Sequence, residues 1–193
     1  MAPDDPLLHL SRAAGFGAYL VLWLDMCLGV ALTGWLRPPF LARWRIGDLH
    51  QFTGLLGLGL LATHVSVLIG LRDSPFTVLE LFVPLQRQVN PLAPLLGISA
   101  LYVVALITAA SHARRLLGLR LWRAVHTLSF VGFGLALAHA VAAGPDASST
   151  WVNGLYVTTV VVLAVLTACR VRLRFSRSQQ PAATAAPFGR RVR

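Results

Sequence analysis

Two stretches of this chain are apolar across most of the depth of a bilayer, and each carries a histidine close to both of its ends. The first is Leu49 to Val65, LHQFTGLLGLGLLATHV, bracketed by His50 and His64. The second is Val125 to Ala140, VHTLSFVGFGLALAHA, bracketed by His126 and His139. A backbone that crosses hydrocarbon must satisfy its own polar groups, which restricts such segments to helix. An ionisable side chain inside a membrane helix is costly and marks function.

The rest of the chain fits that constraint. It has 193 residues, 56% of them hydrophobic and 12% charged, with mean hydropathy +0.68, far from a soluble domain. The expected fold is an all-α integral membrane helical bundle of about five transmembrane helices. The spans are Ala13 to Leu36, Leu49 to Leu71, Pro94 to Ala113, Ala124 to Ala143 and Trp151 to Cys169, each close to the ~20 residues that cross a bilayer. Residues 1–12 read as a short polar amino-terminus, 13–171 as the bundle and 172–193 as a disordered basic tail. The apolar Phe76 to Val83 is too short to cross and is expected to lie along the interface. Cys27 and Cys169 lie in the first and last spans, so neither a disulfide framework nor a zinc site is expected of them.

All 17 basic residues are arginine, and the net charge is +10. The arginines sit between apolar spans and in the tail, which argues for membrane orientation and against nucleic-acid binding. The first loop, the third loop and the tail hold all of them except Arg12, Arg72 and Arg87. By the positive-inside rule the amino-terminus is outside and the carboxy-terminus cytoplasmic, as in a multi-pass protein of the bacterial inner membrane. His50 and His126 then lie near the cytoplasmic face, His64 and His139 nearer the outer one.

Spans two and four run parallel, so each depth can offer one histidine from each. Fourteen residues separate His50 from His64, a rise of roughly 21 Å and within about 40° of a whole number of turns. Both rings therefore leave one face, where Gly54 and Gly57 leave room for a flat macrocycle. His126 and His139 are thirteen residues apart, and an ideal helix turns their rings about 140° from each other. Overwinding into tighter turns, or a kink near Gly132 and Gly134, would bring them round. Zinc would cluster its ligands in one tetrahedron, whereas two ligands at each of two depths suit haem. Arg43, Arg45 and Arg123, with Arg72 or Arg87, flank these depths and suit haem propionates. Asp25, mid-span, must be protonated, paired or hydrated, and could serve a proton relay or a quinone contact. His9 and His112 read as surface or interfacial residues.

The segments RAAGFGAYLVLWL, LHQFTGLLGLGLLATHV, LFVPLQRQVNPLAPLLGISALYVV and RRLLGLRLWRAVHTLSF resemble the ferric reductase-like transmembrane domain family. Its relatives include NADPH oxidases and the haem-binding membrane subunit of the periplasmic methionine sulfoxide reductase system. The similarity covers roughly Arg12 to Asp146, and the spacing of fourteen then thirteen between paired histidines is also the family's. The resemblance implies two bis-histidine b-type haems, on His50 with His126 and on His64 with His139. They would pass electrons from a cytoplasmic flavin to an extracytoplasmic acceptor such as ferric iron, oxygen, quinone or a periplasmic reductase. Many relatives have six spans, and the larger reductases carry a fused flavin and nicotinamide domain that is not seen after Cys169. The expected electron donor is therefore a separate cytoplasmic flavin-dependent reductase. The contrasting expectation is a single-haem or haem-free anchor subunit that docks a redox partner.

Overall fold

The computed structural model describes residues 6–32, 43–70, 76–84, 91–144 and 149–178. Among them every regular element is helical: α1 (Pro6–Ala31), α2 (Arg43–Gly70), α3 (Val78–Phe82), α4 (Leu92–His112), α5 (Arg114–Thr127), α6 (Ser129–Ala143) and α7 (Thr150–Ser178). Five helices are long and apolar enough to cross a membrane, α5 and α6 together forming one of them.

Several boundaries differ from those read in the sequence. The first helix starts at Pro6, inside the stretch expected to be a loose polar terminus, and ends at Ala31. Proline suits the first helical position because that residue's N–H has no partner in the helix anyway. At the other end α7 continues through Ser178, past the expected start of the tail at 172, since Arg, Val and Leu carry no helix-breaking penalty there. Residues 179–193, and Arg72 and Arg87, lie outside the described residues. The basic turn expected before the fourth span is largely helix, broken only at Gly118. Its φ of 72° is a conformation open to glycine and strained for other residues. The short segment before α4 forms one turn of helix, α3, closed by a capping box between Thr77 and Glu80. The Tyr102 hydroxyl donates to the Phe82 carbonyl and fastens α3 to α4.

Helices do not associate in lipid through the hydrophobic effect, so close approach and polar contacts decide the packing. The most extensive pairings are α1 with α2 and α4 with α6, while α2 and α6 are not among the extensively packed pairs. On α1 the buried positions Ser11, Ala14 and Ala18 are small, which lets α2 approach. A buried cluster of Tyr19, Met26, Val30, Phe133, Val152, Tyr156 and Leu163 joins α1, α6 and α7. Within it Tyr19 stacks on Phe133 at 5.6 Å and meets Tyr156 edge-on at 5.2 Å. The Tyr19 and Thr159 hydroxyls lie 2.5 Å apart, and the Trp23 indole donates to the Thr159 carbonyl at 3.0 Å. The bundle is thus two antiparallel helix pairs with α7 against the first, leaving α2 and α5–α6 to face each other across the interior.

Candidate functional site

Across that interior the four histidines meet in two pairs. The rings of His50 and His126 have centroids 5.9 Å apart and planes at 89°, and those of His64 and His139 are 6.4 Å apart at 74°. The helix tightens between α5 and α6. There Leu128 N–H bonds to the Val125 carbonyl at 3.0 Å, an i to i+3 turn that advances each residue about 120° instead of about 100° and supplies roughly 60° of the rotation that the thirteen-residue spacing needs. The tight turn falls at Leu128 and not at the two glycines. Gly132 instead packs on Val103, whose side chain a Cβ there would meet at 3.1 Å.

Three of the four rings are seated in one kind of socket. The Nδ1 of His64 donates to the Ser11 carbonyl at 2.8 Å, that of His139 to the Ala93 carbonyl at 2.7 Å, and that of His50 to the Asp25 carbonyl at 3.1 Å. In each case the residue four positions on is glycine, and its missing side chain admits the ring. A Cβ would stand 2.9 Å from the ring at Gly15, 2.8 Å at Gly97 and 3.3 Å at Gly29. The carbonyl that the ring uses is the one that the residue four on already bonds within the helix, so glycine there lets one oxygen accept twice. A carbonyl can only accept, so the proton sits on Nδ1 and Nε2 carries the lone pair. Backbone carbonyls behind a histidine in this way fix its tautomer and orientation for metal binding.

The fourth ring is held differently. His126 Nδ1 is buried without a hydrogen-bond partner among the described residues, and the ring stacks on Trp122, centroids 5.0 Å apart and planes within 22°. Trp122 is in turn covered by the Arg114 guanidinium at 4.4 Å and donates to the Ser111 hydroxyl at 3.4 Å. Ser111 stands fourteen residues beyond Gly97, at the position where a fourth glycine would complete the pattern.

Around His50 and His64 are further polar groups. Asp25 Oδ1 lies 2.8 Å from His50 Nδ1 and accepts from the Thr53 hydroxyl at 2.6 Å, so the mid-span acid is paired. The Ser11 hydroxyl, in a residue only 1% exposed, lies 3.0 Å from His64 Nδ1. A cavity of about 60 Å³ has Asp25, Gly54, Thr108, Ser129 and Phe133 in its wall, and so reaches the residue that contacts His50.

Other sequence expectations are placed as follows. Gly57 packs on α1, where a Cβ would meet Leu22 at 3.0 Å. Gly54, whose Cβ would stand 3.7 Å from the Asp25 carboxyl, lines the cavity that Ser129 and Phe133 of α6 also wall. Arg43, Arg45 and Arg123 are exposed at the end of the bundle nearest His50 and His126, with Arg45 over Trp44 at 5.1 Å. His9 is exposed, and His112 is exposed with Nδ1 donating to the Thr108 carbonyl at 2.9 Å, both apart from the pairs. Ser11, Gly15, Gly29, Ala93, Gly97 and Trp122 went unread as site residues. The signal was present, since Ser11 and Asp25, like Gly15 and Gly29, are fourteen apart, the interval from His50 to His64.

Each level brings together two imidazole rings, one from α2 and one from α5–α6. Among the described residues no group of three or more His, Cys, Asp or Glu converges, so a tetrahedral set is not supplied. Two imidazoles bonded to one ion at about 2.0 Å put their ring centroids roughly 6.2 Å apart, within a few tenths of an ångström of both observed separations. Comparison with protein families, with characterised proteins and with solved structures found no match to this chain.

Proposed function

We propose that the chain is a membrane di-haem b cytochrome that carries electrons across the bilayer, in line with its resemblance to the ferric reductase-like transmembrane domain family. The observation that carries this reading is the double pairing of histidines at a separation suited to two axial ligands on one iron, three of them with Nδ1 tied to a carbonyl. A donor set of two nitrogens per level fits a metal whose four equatorial ligands come from its own macrocycle. His50 with His126 would hold one haem and His64 with His139 the other. Haem, when bound, supplies one-electron iron chemistry at a potential tuned by ligand, burial and nearby charge.

The residues of the chain orient the imidazoles and space the two levels by about 21 Å along α2. Exposed Arg43, Arg45 and Arg123 stand where propionates at the His50–His126 end would find guanidinium partners. By the positive-inside rule that end would face the cytoplasm, in keeping with a protein of the bacterial inner membrane. Electrons would then come from a separate cytoplasmic flavin-dependent reductase and leave to an extracytoplasmic acceptor: ferric iron, oxygen, quinone or a periplasmic reductase.

Reduced-minus-oxidised spectra of the purified protein, with haem quantified per chain, test this reading. Two b-type haems per chain support it. One haem or none would turn the assignment to an anchor subunit, and a haem indifferent to loss of all four histidines would sink it.

A further inference from the structure

The two histidine levels share a scaffold but not an electrostatic environment. At the His64–His139 level both rings donate to main-chain carbonyls, and the one added side-chain contact is the neutral Ser11 hydroxyl. At the other level His50 Nδ1 faces a carboxyl oxygen of Asp25 at 2.8 Å, besides that residue's carbonyl. The carboxyl is held in place, since Thr53, 6% exposed and one turn along α2 from His50, donates its hydroxyl to the same oxygen at 2.6 Å.

We propose that Asp25 is a positioning residue for His50 that makes the His50–His126 centre the lower in potential of the two. This rests on the di-haem reading above. A carboxylate behind a ligating imidazole raises the ligand's basicity, and a negative charge in a low-dielectric interior favours the more positive, ferric state of a neighbouring iron. Arg43, Arg45 and Arg123 act in the opposite sense from the same end of the bundle, but they are exposed and screened by water and salt. Asp25 is inside and in contact. The His64–His139 level has no comparable charge in contact with its rings among the described residues. Electrons entering at the His50 level would therefore run downhill toward His64.

The test is an optical redox titration of the purified full-length protein. Wild type should titrate as two components of equal amplitude, and Asp25→Asn should raise the lower one while leaving the upper in place. Asp25→Glu should recover part of the shift, and Ser11→Ala should leave the lower component unmoved. In a His139→Ala background, which keeps only the His50 level, the single remaining component should still rise with Asp25→Asn.

Unchanged midpoints in Asp25→Asn, or movement of the upper component alone, would overturn the proposal. Should Asp25→Asn not be recovered with haem, His139→Ala and His50→Ala decide by themselves. The haem that survives in His139→Ala must then have the lower midpoint, and an equal or higher one overturns the proposal. Wild-type protein lacking two haems would instead count against the di-haem reading.

Discussion

The His64–His139 level and the His50–His126 level differ in how their rings are anchored. In the first, each ring sits against a glycine on the neighbouring helix and donates to a carbonyl four residues before it. In the second only His50 does so, with Asp25 added, while His126 leans on Trp122 and has a buried Nδ1 without a partner among the described residues. A backbone socket is built from groups that every residue carries, so it can recur wherever a small residue allows. A side-chain wall depends on particular residues, and it lets one level differ from the other in rigidity and charge.

The sharpest break in this comparison comes from removing ligands. His64→Ala or His139→Ala should take haem from about two per chain to about one, and His50→Ala or His126→Ala should remove the other, as read by haem quantification and by the midpoint that remains. Next is the socket. Gly97→Val forces atoms into space that His139 fills, since a Cβ alone would stand 2.8 Å from the ring. It should eject the haem of that level and cost about 1–3 kcal/mol in a detergent unfolding assay. Gly59→Ala, with nothing within 4 Å of its Cβ, should be neutral or stabilising by up to about 1 kcal/mol.

Trp122→Ala removes the stacking surface of His126, worth about 0.5–1.5 kcal/mol for an aromatic pair. It should make the His50–His126 haem the easier to displace with added imidazole, and a preferential loss of the other haem would reverse the comparison. A smaller loss belongs to Ser11→Ala, about 0.5–1 kcal/mol. His64 would lose the hydroxyl yet keep the Ser11 carbonyl, so both haems should be retained at wild-type content.

Much of the arrangement was legible beforehand because membrane helices obey few rules. Apolar length located the five spans, and counting residues from His50 to His64 put both rings on one face of α2. The boundaries at Pro6 and Ser178 were not legible, since polar residues at a span's end look alike whether the helix continues or stops. Gly54 and Gly57 share the histidine face by arithmetic, but a face about 40° wide does not tell which neighbouring helix each position meets: Gly57 packs on α1, while Gly54 borders the cavity shared with α6.

By itself the sequence determined the class of fold and the identity and depth of the four histidines, because hydrocarbon tolerates only helix and one residue of helix is a constant rise. Tertiary structure decided which groups stand behind each ring. In the three sockets a carbonyl of α1 or α4 accepts from a histidine of another helix where a glycine four residues on meets that ring across the interface. The tight turn at Leu128, which turns His126 and His139 toward each other by roughly 60°, likewise lies at the junction of α5 and α6. Long-range packing sets these contacts, and no local pattern carries it.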